Sequence, residues 1–142
     1  MPSQLELDKV YMTQALNFAT LSKSKRKAVG AVLVTQKGVV LPGVNGSAKG
    51  TSNDLEFEDE AGNLVTKPTT IHAELNCILK AAKEGVSVEG STLYVTLSPC
   101  EACAAMLIQA AVKEVVYLED YRCSKGLTLL QDFGIFVRQF KL

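Results

Sequence analysis

Apolar residues fall in short, separable patterns along this chain, and the spacing switches between helical and extended. Leu7, Val10, Tyr11, Ala15, Phe18 and Leu21 recur near helical spacing, which predicts an amphipathic helix over Leu5 to Leu21. The runs Ala28 to Thr35 and Val39 to Val44 flank Gln36-Lys37-Gly38, a hairpin with glycine in its turn. Thr69 or Thr70 can cap a helix from about His72 to Glu84, stopped by Gly85, whose Leu75, Ile78, Leu79 and Ala82 face a core. Ser91 to Leu97 reads as a buried strand. It leads into a helix with Ser98 as cap, Pro99 at the first position and Glu101 as capping-box partner, running on through Met106, Leu107, Ala110 and Ala111. Glu114 to Leu118 is a further strand, Ser124 to Phe133 a helix halted by Gly134, and Ile135 to Phe140 a last strand.

That order predicts a three-layer α/β/α fold with a five-stranded mixed sheet. The first two strands pair as a hairpin, whereas the later ones are linked by helices and must run parallel. Thr51 to Pro68 interrupts the alternation with Asp54, Glu56, Glu58, Asp59 and Glu60, and Gly62-Asn63 between Phe57 and Leu64-Val65 fits a small protruding hairpin. Neither flank of that segment could fold alone, so residues 1–142 read as a single domain.

Charge narrows the partners. With 15 basic and 15 acidic residues, nothing draws the chain to nucleic acid or to an anionic membrane. No apolar run is long enough to cross a bilayer, and Met1 to Val10 lacks a signal-peptide pattern, so a cytoplasmic location is expected. In that setting Cys77, Cys100, Cys103 and Cys123 are metal ligands or buried thiols before they are disulfides. Any imidazole ligand has to be His72, the only histidine.

The chemistry gathers at two helix starts. Cys100 and Cys103 share one face near the positive end of a helix dipole, which favours thiolates and hence metal. His72 and Glu74 open the preceding helix; residues two apart differ by about 200° around the axis, so both can serve only something lying over the helix end. Two helix N-termini facing one ion give His72, Cys100 and Cys103 as three ligands to Zn2+, with an open fourth position as in catalytic zinc. Glu74 is then free to carry protons. The other readings are a structural zinc closed by Cys77 or Cys123, and an ordinary histidine with cysteines as core filler. His-x-Glu followed by Pro-Cys-x-x-Cys is the signature of zinc deaminases. Lys23, Lys25, Arg26 and Lys27, interleaved with Ser22 and Ser24, form either a solvated helix end or an anion site. The glycines of Gly43 to Gly50 mark either a loop or a close approach of backbone to a ligand.

Nearly the whole chain resembles the deoxycytidylate (dCMP) deaminase family within the cytidine deaminase-like superfamily. The matching segments are Val29-Gly30-Ala31-Val32, Gly43-Val44-Asn45-Gly46, His72-Ala73-Glu74-Leu75-Asn76, Ser98-Pro99-Cys100-Glu101-Ala102-Cys103-Ala104, Val112 to Tyr117 and Asp120-Tyr121-Arg122. Asn76 is closer to this branch than to the transfer-RNA adenosine or guanine deaminases. The resemblance implies hydrolytic deamination of dCMP to dUMP and ammonia, supplying thymidylate synthesis. It implies that Asn45 contacts deoxyribose or base, that Ala73 and Ser98 border the cytosine, and that Tyr121 gates the pocket. It also makes Arg26, then Arg122, the candidates for the phosphate. Allosteric members bind dCTP, with Mg2+, or dTTP at the loop matching Gly43, Val44, Asn45 and Gly46, and assemble as hexamers, so a homo-oligomer is implied here. Val44 and Ala48 depart from the Tyr and Pro usual in that loop, and one histidine with two spare cysteines cannot build the second, structural zinc of some members. A nucleoside, guanine or RNA-base deaminase and a non-catalytic dCTP/dTTP-binding module are the alternative functions.

Overall fold

The computed structural model describes residues 1–142. Helix α1 (Gln4–Ala19) is followed by β1 (Gly30–Val34) and β2 (Val40–Val44), a small hairpin β3 (Glu56–Glu58) and β4 (Leu64–Thr66), and α2 (Ala73–Glu84). Then come β5 (Thr92–Leu97), α3 (Glu101–Gln109), β6 (Glu114–Glu119), α4 (Lys125–Asp132) and β7 (Phe136–Gln139).

The main sheet has five strands in the order β2-β1-β5-β6-β7, and β3-β4 form a separate two-stranded sheet. Strand β1 is antiparallel to both β2 and β5, whereas β5, β6 and β7 are parallel through the crossovers α3 and α4. The expected mixed sheet and the small hairpin are both present.

Side chains alternate across the strands and so build two cores. Ala31, Leu33, Leu93, Val95 and Val115 meet Ala73, Cys77, Ala81, Ala104, Leu107 and Leu130 from α2, α3 and α4. On the other face Val32, Tyr94 and Val116 meet Met12 and Ala15 from α1 and Phe140 from the C-terminal segment. The helix faces differ from those the periodicity predicts. In α1 the buried residues are Asp8, Met12, Ala15 and Ala19, while Val10 and Leu21 are exposed. In α2 they are Ala73, Glu74, Cys77 and Ala81, and Leu79 points outward.

Helix starts differ too. Helix α1 is capped by Ser3, whose Oγ accepts from the Glu6 amide at 3.1 Å while the Glu6 carboxylate accepts from the Ser3 amide at 2.9 Å. Neither Thr69 nor Thr70 caps α2, because His72 is the cap residue and the Thr70 hydroxyl donates to the Leu55 carbonyl. Nor does Ser98 cap α3: that helix begins at Glu101 with Cys100 as cap residue, and the Ser98 hydroxyl accepts the Tyr121 amide at 2.7 Å.

Candidate active site

These late starts place the chemistry. His72 and Cys100 both occupy cap positions in extended backbone, with φ/ψ of −69°/154° and −71°/169°. A cap side chain leans over the helix end rather than out from its flank. Neither side chain caps its own helix, and both are turned toward each other. Helix α2 delivers His72 from the polar segment before it, and β5 delivers Cys100 through the buried Ser98-Pro99 turn.

Two glycines let these elements approach. A methyl on Gly43 of β2 would overlap the Ala73 carbonyl oxygen and stand 2.7 Å from Cys77 Sγ. A methyl on Gly126 of α4 would overlap the Pro99 carbonyl oxygen and stand 2.9 Å from the Cys100 backbone. Gly43 thus seats α2 on β2, and Gly126 seats α4 under the turn that carries Cys100. Gly126 carried no site signal in the sequence, since a lone glycine in a helical pattern does not show what packs against it.

His72 Nδ1 stands 3.2 Å from Cys103 Sγ and 3.6 Å from Cys100 Sγ, and all three ligand atoms lie within 4.8 Å of one another. Nitrogen and sulfur bound tetrahedrally to one zinc at about 2.0 and 2.3 Å stand roughly 3.6 Å apart, so the donor set and its spacing fit that ion. Cys77 is fully buried in the core, its thiol pushed up to about 12 by burial, and Cys123 does not join the cluster. The structure therefore does not close the site with a fourth cysteine.

The three candidate donor groups also shift one another's protonation. The Cys103 thiol, and after it His72, hydrogen-bonds Cys100 and holds it down to about 4, while Cys103 is pushed up by its bond to Cys100. His72 is raised, chiefly by Cys100. Glu74 is buried, with Oε1 4.0 Å from His72 Nδ1. Burial pushes its carboxyl upward and the His72 charge offsets part of that, so the group sits closer to protonation than an exposed glutamate.

A cavity of about 410 Å³ opens above these groups. Its floor includes Ala73, Glu74, Cys100, Leu97, Ser98 and Val29; Asn45, Tyr121, Arg122, Arg26 and Lys27 stand around it. Every substrate-contact residue named from the sequence, Arg26, Asn45, Ala73, Ser98, Tyr121 and Arg122, therefore lines one space together with His72 and Glu74. Asn45 is partly engaged, its Oδ1 accepting the Val29 amide and its Nδ2 donating to the Lys27 carbonyl. Each end keeps one further hydrogen-bonding position. The Arg122 guanidinium lies 5.4 Å from the centre of the Tyr121 ring. Thr66 and Thr70 also line the cavity. Sequence reasoning did not place them at the site: Thr70 read as a helix-cap candidate and Thr66 as part of the small hairpin segment, and neither pattern points to a cavity.

An α/β/α sandwich with a His/Cys/Cys cradle and a buried, unligated carboxylate beside it defines a zinc hydrolase class. The cytidine and deoxycytidylate deaminase zinc-binding region matches residues 5–119, and the chain belongs to that family. Mouse deoxycytidylate deaminase is 39% identical over 145 residues, which cover 96% of this chain and 80% of the mouse protein. The ComE operon protein 2 of Bacillus subtilis (strain 168) is 34% identical over 142 residues, covering 98% of this chain and 74% of its own length. The crystal structure of dCMP deaminase from the cyanophage S-TIM5 in complex with dCMP and dUMP superposes with a TM-score of 0.88 at 38% identity, covering 98% of this chain and 100% of that one.

Proposed function

We propose that this protein deaminates dCMP hydrolytically, giving dUMP and ammonia. The observation that carries the reading is that one cavity joins His72, Cys100 and Glu74 to a cationic mouth of Arg26, Lys27 and Arg122. The floor suits a cytosine ring and the mouth suits a phosphate. The relatives named above, deoxycytidylate deaminases among them, support the same substrate.

His72, Cys100 and Cys103 would hold one zinc ion per chain. The chemistry such an ion supplies is acidification of water, so that hydroxide is available near neutral pH. Glu74 takes a proton from the water that adds to C4 of the cytosine ring and delivers it to N3. It then carries the remaining hydroxyl proton to the amino group, which leaves as ammonia while the C4 carbonyl forms. Ala73 and Ser98 shape the ring's surroundings, and Asn45 uses its spare positions on the sugar. Tyr121, fixed through its amide by Ser98, closes over the base. Arg26 and Arg122 neutralise the phosphate.

The reading extends to dCTP, with Mg2+, and dTTP as effectors, and to a homo-oligomer. For the effectors the support is a second, open hollow of about 940 Å³ lined by Gly43 and Val44 together with Lys49, Lys80 and Lys83. Asn45 and Gly46 lie outside that lining.

The test is ammonia release and loss of cytosine absorbance with zinc-loaded protein over dCMP, CMP, deoxycytidine and guanine, with dCTP plus Mg2+ or dTTP added in parallel. Turnover of dCMP with deoxycytidine barely used is expected. Equal use of deoxycytidine, or nucleotide binding without ammonia, would overturn the assignment.

A further inference from the structure

Glu56 stands in an acidic stretch that reads as solvated, yet it is only 8% exposed. A buried carboxylate needs partners, and all of those here come from the basic loop after α1. The Ser24 hydroxyl donates to it at 2.6 Å, the Lys25 amide at 3.1 and 3.2 Å to its two oxygens, and the Arg26 amide at 3.5 Å. Ser24 Oγ in turn accepts the Lys27 amide at 3.2 Å. Burial pushes the Glu56 carboxyl up, but the Ser24 hydroxyl and the Lys25 and Arg26 amides outweigh it and hold the group below its ordinary range.

The same hairpin grips the loop at a second point. Arg26 Nη1 donates to Thr66 Oγ1 at 3.0 Å. Ser24, Arg26, Lys27 and Thr66 line the cavity, whereas Glu56 does not. The Lys25 and Arg26 amides are therefore already taken by an internal anion and those of Ser24 and Lys27 by serine hydroxyls, so what remains for an incoming anion is the loop's side chains. A guanidinium held at its backbone and at its tip loses less freedom on meeting a phosphate than a free one does.

We propose that Glu56 is a positioning residue for recognition of the phosphate. It fixes the Ser24 to Lys27 loop so that the Arg26 guanidinium faces the cavity, and it thereby makes turnover depend on the phosphate without touching the substrate. The inference rests on the dCMP reading above.

Zinc-loaded wild type, Glu56→Gln, Arg26→Ala and the double variant are compared on dCMP and deoxycytidine. Expected for Glu56→Gln is a KM for dCMP raised about tenfold with kcat within about twofold, and unchanged kcat/KM for deoxycytidine. The double variant should be no worse than Arg26→Ala, since the carboxylate acts through that arginine. Equal losses on both substrates, or additive losses in the double variant, would reduce Glu56 to a folding role and overturn the proposal. If Glu56→Gln does not fold, Thr66→Val decides: a smaller rise in KM for dCMP alone supports the grip, and no change overturns it. Should wild type release no ammonia from dCMP, the functional reading falls, and inorganic phosphate binding by calorimetry then decides. Weaker binding by Glu56→Gln than by wild type supports positioning; equal or absent binding in both overturns it.

Discussion

At the residue scale, the site separates holding from proton movement. His72, Cys100 and Cys103 cluster within 4.8 Å, whereas Glu74 is buried beside them with no lysine or arginine paired to its carboxyl. Glu74→Gln keeps size and hydrogen-bonding capacity but cannot carry a proton. Turnover of dCMP is expected to fall by about 10² to 10⁴ with zinc retained, measured by ammonia release alongside metal analysis of the purified variant. Cys103→Ser should instead lose the metal. Retained turnover in Glu74→Gln would remove the mechanism. This chemistry was legible beforehand because it uses rare residue types: a single histidine leaves no choice of imidazole, and Pro-Cys-x-x-Cys fixes its own local geometry. Glu56 was not legible. Its burial depends on amides more than 29 residues earlier in the chain, which no local pattern records.

At the element scale, the order of helices and strands followed from periodicity, but the helix faces and starts did not. Val10 and Leu21 are exposed and Asp8 is buried, because Tyr94 and Arg138 reach Asp8 from β5 and β7. Helix α3 starts at Glu101 rather than after Ser98, because the Ser98 hydroxyl is committed to Tyr121 and Cys100 is drawn toward His72. Close packing of α4 under the Pro99-Cys100 turn carries a prediction. In Gly126→Ala the added methyl meets backbone, which cannot swing aside like a side chain. A stability loss of about 1–3 kcal/mol is expected from such overpacking, read from a denaturant midpoint. The displaced turn should also lower zinc content. A variant with wild-type stability and full zinc would show that α4 does not seat the site.

At the scale of the whole molecule, one polar network joins the first helix to the last strand. Asp8 on α1 is buried, and Tyr94 of β5 donates to its Oδ1 at 2.7 Å. Arg138 of β7 bonds Asp8 Oδ2 at 2.8 Å and Glu114 of β6 at 2.8 Å, so α1, β5 and β7 meet at one carboxylate and β6 joins through the shared arginine. By contrast the Lys27–Glu119 pair at 2.6 Å is about half exposed on both sides and adds little. Burial pushes the Asp8 carboxyl up, but Arg138 and then Tyr94 and Gln4 outweigh it and hold the group below its ordinary value of 3.8. The folded protein thus binds that proton less readily than the unfolded chain. Its contribution is therefore complete above about pH 4 and drains away as pH falls through the lower folded value. Asp8→Asn removes the charge at every pH. It should cost about 1.5–3 kcal/mol at pH 7, the range for hydrogen bonds to a charged partner, and that difference should shrink progressively as pH falls below the ordinary carboxylate value toward 3. Zinc ligands also protonate in acid, so the comparison is between wild type and Asp8→Asn, both metal-loaded, by urea denaturation across pH 7 to 3. A gap between the two that stays constant down to pH 3 would show that the carboxylate's charge is not what ties α1 to β7.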